Sequence, residues 1–362
     1  MRVKCAATRA LVVAATIALF VGSVLVGSSA ARADVIAPAA GYGFAQGAPQ
    51  LTMSAADLNR ELDAVSKTRG EWLRVLINWS EIESTKGTYN WAVTDRVIKA
   101  ARAHKLKVLS LVLSTPAWAR RGGALAGMYA PPSNAASIAP FLKAFIKRYP
   151  DVTRHEIWNE PNLPAFWGLY PANPTEYTAL LKASYTAIKA VQPSSTVVAA
   201  GMSPGAGAVD FVTKMYAAGA KNYFNATAMH AYVFPKGINS KPNGWSETQQ
   251  IRSVMTSNGD AGKKIWLTEM GAPTRPAAGT SGSSDFGLGS LGFGATDMVT
   301  QQEQATQIVD VLRAAGQSGY CGPAFIYSVR DQGTSSNNRE DNFGALLTND
   351  WQPKITATVL AK

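Results

Sequence analysis

From about residue 40 onward, short apolar runs alternate with longer segments whose apolar positions recur at helical spacing. Eight runs read as β-strands: 41–45, 72–77, 107–113, 154–158, 196–200, 226–231, 264–268 and 324–329. The clearest helical stripe carries Tyr177, Leu180, Leu181, Ser184, Tyr185, Ile188 and Val191, the i, i+3, i+4, i+7 rule held over four turns. The same patterning predicts helices near 54–69, 90–103, 135–148, 208–218, 246–257 and 300–316, with a short last one near 352–361. Eight strand–helix units predict a single-domain α/β fold, a (β/α)8 TIM barrel. An open doubly wound sheet is the alternative, but it usually opens with a Gly-rich turn. Here Gly41-Tyr42-Gly43-Phe44-Ala45-Gln46-Gly47 does not fit G-x-G-x-x-G. No internal repeat and no linker divides the remaining chain.

The segment before the first strand has a different pattern. Arg2, Lys4 and Arg9 precede an apolar run from Ala10 to about Gly27, and Ala31-Arg32-Ala33 fits a small-x-small cleavage site. Residues 1–33 are therefore expected to be a cleaved secretory signal, with 34–362 the barrel, extracellular and without stable membrane insertion. The 362 residues are 46% hydrophobic and 16% charged, which excludes a disordered chain. Cleavage would remove four of 35 basic residues and no acid, leaving 31 against 24 and a net charge of +7. That excess is thinly spread, with no run of five Lys or Arg, so no nucleic-acid partner is expected. Cys321 would be the one remaining cysteine, just before an apolar run, and reads as a buried inert thiol. A Gly/Ser-rich stretch at 279–294, with Phe286, Leu288, Leu291 and Phe293 interspersed, follows the seventh strand. It reads either as a lid on the catalytic face or as an ordinary loop. With no sign of an oligomer, a monomer is the default.

Two glutamates lie just past predicted strands, Glu160 after the fourth and Glu269 after the seventh. In a barrel, the C-terminal strand ends face the active-site mouth, and strands four and seven stand roughly opposite each other. Two converging carboxyls suit glycosidic cleavage: one protonates the leaving oxygen while the other attacks or guides water to the anomeric carbon. Strict alternation cannot aim both Asn159 and Glu160 inward, so the fourth strand must end in a bulge or kink, which Pro161 fits. By the same parity Trp266, opposite to Glu269, should face the helical shell.

Trp158-Asn159-Glu160-Pro161-Asn162 resembles the acid/base motif of the retaining barrel glycoside hydrolases of clan A. Trp266-Leu267-Thr268-Glu269-Met270-Gly271 resembles that clan's nucleophile strand. The region from Arg74 through Asn78-Trp79-Ser80-Glu81-Ile82-Glu83 to Gly87-Thr88-Tyr89-Asn90-Trp91 is similar to the clan's R…W-x-x-I-E…G-x-Y-x-W pattern. Ser114-Thr115-Pro116-Ala117-Trp118-Ala119 and His230-Ala231-Tyr232 also match. Together, over about 41–331, they look most like family 39 and its relatives: β-xylosidases, α-iduronidases and exopolysaccharide-cleaving endoglycosidases. The resemblance implies Glu160 as acid/base and Glu269 as nucleophile. It implies that Asn159 bonds the sugar 2-hydroxyl, that Arg74 lies under the nucleophile, and that Tyr232 bonds Glu269 on the face it shares with His230. Trp79, Trp118 and Trp167 are candidate sugar-stacking platforms. Arg74 paired with Glu71 on the surface is the alternative, and Glu156 could be a buried structural acid. The clan commonly presents an aromatic side chain after strand eight, and here Tyr327 or the Arg330/Asp331 pair must serve. The family's longer members carry a β-rich accessory domain, for which this chain leaves no room.

Other chemistries fit less well. Gly201-Met202-Ser203-Pro204-Gly205 matches G-x-S-x-G, but the residue after the serine must lend its backbone N–H to the oxyanion hole, and Pro204 has none. The histidines, His104, His155 and His230, are scattered without metal-ligand spacing, so no metal or other cofactor is expected. A non-catalytic glycan-binding barrel is the rival from another class. The expectation is a secreted retaining hydrolase of a β-linked polysaccharide or oligosaccharide, endo-acting on an exopolysaccharide or envelope glycan, with exo action the alternative.

Overall fold

A computed structural model describes residues 37–276 and 297–362; the expected leader and the Gly/Ser-rich stretch at 279–294 lie outside them. In chain order the regular elements are β1 (Tyr42–Ala45), α1 (Pro49–Thr52), α2 (Ala55–Ser66), β2 (Trp72–Asn78), α3 (Trp79–Ile82), α4 (Ala92–Ala103), β3 (Lys107–Leu113) and α5 (Ala139–Arg148). Then come β4 (Arg154–Asn159), α6 (Pro174–Val191), β5 (Thr196–Met202), α7 (Ala208–Ala217), β6 (Ala226–His230), α8 (Gly244–Ser257), β7 (Lys264–Met270), α9 (Gln301–Ser318), β8 (Cys321–Tyr327) and α10 (Ile355–Leu360). The eight strands close into one barrel in sequence order, each parallel to its neighbours, with β1 pairing β8. This is the (β/α)8 architecture that the hydrophobic pattern predicts.

The helices start where the sequence supplies caps. Asn173 accepts from the Glu176 N–H ahead of Pro174 at the first helical position of α6. Capping boxes, Asn243 with Ser246 and Thr300 with Glu303, open α8 and α9. The short α1 and α3 are absent from the sequence reading because four residues carry no measurable period.

Two hydrophobic layers form. The larger lies between the strands and the surrounding helices; the smaller fills the barrel with Ala45, Trp72, Leu109, Val198, Ala226, Ala228, Trp266 and Phe325. Trp266 thus corrects the parity argument: it points into the barrel, stacked on Phe325 at 6.4 Å and 18° and edge-on to Trp72 at 5.7 Å. The reason is an extra residue in β7. Between the pairs Ala228↔Trp266 and His230↔Glu269, β6 advances two residues while β7 advances three. The same surplus shows against β8, where Leu267↔Ala324 is followed by Met270↔Ile326. Trp266 and Thr268 face inward by alternation, and the bulge lets Glu269 face inward too. Gly322 makes room for the indole, since a Cβ there would sit 2.5 Å from its Cδ1.

Candidate active site

The end of β4 is kinked as the alternation argument requires. Trp158 and Glu160 have φ of 75° and 42°, a left-handed backbone that costs a non-glycine residue about 1 kcal/mol or more. The Trp158 indole turns out into the helical shell, donating to the Phe166 carbonyl at 2.7 Å. Asn159 and Glu160 are both left on the inside, and the Glu160 N–H stays tied to the Gly201 carbonyl of β5 at 3.0 Å.

Arg74, on β2 and 3% exposed, crosses the barrel beneath the mouth. Its Nε lies 2.6 Å from Glu156 Oε2 and its Nη1 2.6 Å from Glu269 Oε1. Its Nη2 donates to Asn159 Oδ1 at 2.9 Å, which leaves the amide NH2 uncommitted to Arg74. The surface alternative is excluded, because Glu71 pairs instead with Lys107. Glu156 is fully buried and also accepts from the Gly201 N–H and the Thr268 hydroxyl, so it is a structural acid that anchors the guanidinium.

His230, at the end of β6, links the two site carboxylates. Its Nδ1 lies 2.8 Å from Glu160 Oε1 and 3.4 Å from Glu269 Oε2. The sequence places it as a substrate contact; the structure buries it completely, packed on Gly201, where a Cβ would come within 2.3 Å of Nε2. Burial opposes its charge, but Glu269 and Glu160 outweigh burial and raise its pKa, favouring the imidazolium. Tyr232, on the loop after β6, donates to Glu269 Oε2 at 2.8 Å. Burial would raise the pKa of Glu269, yet His230, Arg74 and the Tyr232 hydroxyl prevail and lower it. Glu269 is held as a carboxylate, while the Glu160 and Glu269 side chains stay 12% and 14% exposed and reachable from the mouth.

The expected stacking platforms fare differently. Trp79 and Trp167 are fully buried, which corrects their assignment as sugar contacts. α3 turns Trp79 back onto Phe141 and into a 2.6 Å hydrogen bond with Glu83. The 3-10 turn Pro164–Phe166 tucks Trp167 against Trp158 and Tyr177. Trp118 is half-buried, edge-on to Trp79, with Lys86 over its ring. After β8, Arg330 is engaged by Glu61 and Asp331 by the buried Lys354, so the strand-eight contact falls to the half-buried Tyr327. Cys321 is buried, and burial pushes its thiol up to about 11, as befits an inert residue.

Several contributors were missed in the sequence. Thr268 and Gly201 orient Glu156; the signal was a glycine at a strand end opposite a buried acid. Phe343 packs 5.7 Å from Tyr232 and 5.3 Å from Tyr327, behind the phenol that donates to Glu269. Glu340, three residues before it in the 3-10 turn Arg339–Asn342, is 42% exposed and lies 3.4 Å from Arg339. Both come from an aperiodic loop that offered no signal. Among the described residues no cluster of three or more His, Cys, Asp or Glu is arranged to hold a metal ion.

No family profile and no curated protein matches the sequence. Solved structures do. A family 39 glycoside hydrolase from the gut symbiont Bacteroides cellulosilyticus WH2 superposes with a TM-score of 0.66 at 21% identity, over 91% of this chain and 64% of that one. The family 39 enzyme from Xanthomonas axonopodis pv. citri gives 0.64 at 17%, over 90% of this chain and 66% of that one. A monomeric β-xylosidase from Caulobacter crescentus CB15 gives 0.64 at 17%, over 90% and 69%. The likeness is one of fold. The chain spans just under two thirds of the length of the first two.

Proposed function

We propose that this chain is a secreted, monomeric retaining glycoside hydrolase that acts on a β-linked polysaccharide through a glycosyl–Glu269 intermediate. The observation that carries the reading is the pair Glu160 and Glu269, bridged by one imidazole nitrogen, with Glu269 alone held by Arg74 and Tyr232. Two oxygens 2.8 Å and 3.4 Å from one atom are separated by at most those lengths laid end to end. One oxygen of each carboxylate therefore approaches the other within about 6 Å, a close pairing of the kind a retaining enzyme uses.

The residues divide the work. Glu269 Oε attacks the anomeric carbon as Glu160 passes its proton to the departing glycosidic oxygen, breaking the C–O bond and leaving the sugar esterified to Glu269. Glu160, now a carboxylate, takes a proton from water, whose oxygen displaces Glu269 from the same carbon. Asn159 offers its NH2 to the sugar 2-hydroxyl. No step calls for a metal or an organic cofactor. The fold shared with family 39 hydrolases and with a β-xylosidase supports this chemistry, and endo action is the form proposed.

Product size from β-xylans, β-glucans, mannans, galactans and microbial exopolysaccharides, with Glu269→Gln as the blank, tests the reading. Oligosaccharide ladders absent from the blank support it. Monosaccharide release alone would replace endo with exo action, and binding without turnover on every glycan would point to a glycan-binding barrel.

A further inference from the structure

On the flank of the barrel, between α8 and α9, lies a cavity of about 370 Å³ whose walls include none of the residues placed at the mouth. That volume falls within the roughly 300–1,000 Å³ range of small-molecule sites. One wall is α8, which presents Trp245 and Gln249 a turn apart. The facing wall is α9, where Asp310, Arg313 and Gln317 recur at i, i+3, i+7 on one face. The loop after β6 closes the third side. That loop is pinned from both helices. The Asn243 side chain, which caps α8, donates to the Ile238 and Ser240 carbonyls at 2.9 Å each. Gln307, a turn before Asp310, donates to the Pro235 carbonyl at 2.9 Å. The cavity is therefore formed before anything enters it, and a ligand costs little ordering of the protein.

The unspent hydrogen-bonding groups define the ligand. The indole N–H of Trp245 has no acceptor among the described residues. Arg313 makes one bond, to Asp310 Oδ1 at 3.2 Å, and the two side chains stay 36% and 34% exposed, so guanidinium N–H groups and a carboxylate oxygen are left over. Gln249, Gln317 and Asn239 add amides, which both donate and accept. Six of the nine wall side chains are polar or charged, against the mostly apolar lining that suits an apolar ligand. Asp310 offsets Arg313, so the cavity does not call for a strong anion. Neighbouring hydroxyls on a sugar ring match this set of amides, guanidinium and carboxylate, while the C–H face of the ring meets Ile238 and Ala314. The same loop begins at the mouth. Tyr232, which donates to Glu269, precedes Ile238 by six residues, at most about 20 Å of chain.

We propose that this cavity is a second, non-catalytic binding site that holds one stretch of a polysaccharide by its hydroxyls while another stretch lies across the mouth. The glycan class rests on the glycosidase reading. Two linked sites strengthen the hold on a long chain and do nothing for a substrate that fills only the mouth. The test is affinity electrophoresis of the Glu269→Gln protein through gels containing β-xylan, β-glucan, mannan or galactan. Adding Gln249→Ala and Arg313→Ala, one from each helical wall, should weaken binding to at least one of them about tenfold or more, the worth of two hydrogen bonds. Trp245→Phe, which keeps a ring and deletes the N–H, should weaken it several-fold. With Glu269 intact, the Gln249/Arg313 pair of substitutions should raise KM for that polysaccharide about tenfold, leave kcat in place and leave kcat/KM on an aryl β-glycoside within about twofold. Binding to none of the four glycans, or binding that the variants do not change, overturns the proposal, as does an equal loss on the aryl glycoside. Binding abolished by salt would assign the cavity to an anion, and self-association lost in the variants would assign it to a second copy; either also overturns it. In a protein that cleaves no glycan, polysaccharide binding lost in the variants would sustain the cavity and refute the glycosidase reading. Cleavage with binding indifferent to the variants would do the reverse.

Discussion

Tyr232→Phe removes one oxygen from the site and leaves the ring that packs against Phe343 in place. The lost contact is a 2.8 Å hydrogen bond from a phenol to the carboxylate of Glu269. A hydrogen bond to a charged group is worth about 1.5–3 kcal/mol, and one pKa unit is about 1.4 kcal/mol, so Glu269 should become about 1–2 units more basic. The sign follows from its partners: His230, Arg74 and Tyr232 together lower the Glu269 pKa against burial, and removing one of them lets it rise. The acid limb of kcat/KM against pH should therefore move up by about 1–2 units. At the optimum, the lost positioning of the nucleophile should lower kcat/KM by roughly tenfold to a hundredfold, because the bond is worth that much where Glu269 must be held for attack. The assay is hydrolysis of an aryl β-glycoside across pH, with thermal unfolding of both proteins as the control for folding. An acid limb that stays in place with kcat/KM within about twofold of wild type would refute the claim that Tyr232 helps hold Glu269 ionised.

Glu160→Gln should abolish turnover of natural glycans, whose leaving oxygen needs a proton, while an aryl glycoside with an acidic phenol still shows a burst of one equivalent of phenol; loss of the burst would assign Glu160 another role. Glu61 is buried beneath Arg330, and burial raises its pKa to about 7 despite the ion pair. Its folded form binds the proton more tightly than the unfolded chain does, so its contribution is full below the ordinary glutamate range and is lost as pH rises through about 7. Unfolding temperature should fall between pH 5 and 8 by the equivalent of roughly 3 kcal/mol, and Glu61→Gln should flatten the slope; an unchanged slope in the variant rejects it.

The barrel was legible because its eight buried strands and long amphipathic helices carry their periods openly, as Tyr177 to Val191 does. Glu160 and Glu269 were legible because each follows a strand, and the kink at Trp158 because two neighbours had to face one way. What was lost came from departures from those periods. Trp266 was aimed outward by parity because the bulge of β7 leaves no trace in residue type. Trp79 and Trp167 read as sugar platforms because an aromatic near a strand end looks alike whether a short turn hides or presents it. His230 was given to the substrate when its place, between two carboxylates from different strands, is a matter of three-dimensional convergence. Glu340 and Phe343 sit in a loop without period.

Arg74 joins β2 to β4 and β7 through Glu156, Asn159 and Glu269, all carried on barrel strands or their immediate ends, whereas Glu340 hangs from a loop outside that framework. The linked carboxylates and the loops around them are thus separately mutable. A change in the β8 loop can reshape the mouth without disturbing the guanidinium or the histidine, so barrels of this fold can vary what they admit while keeping the framework beneath.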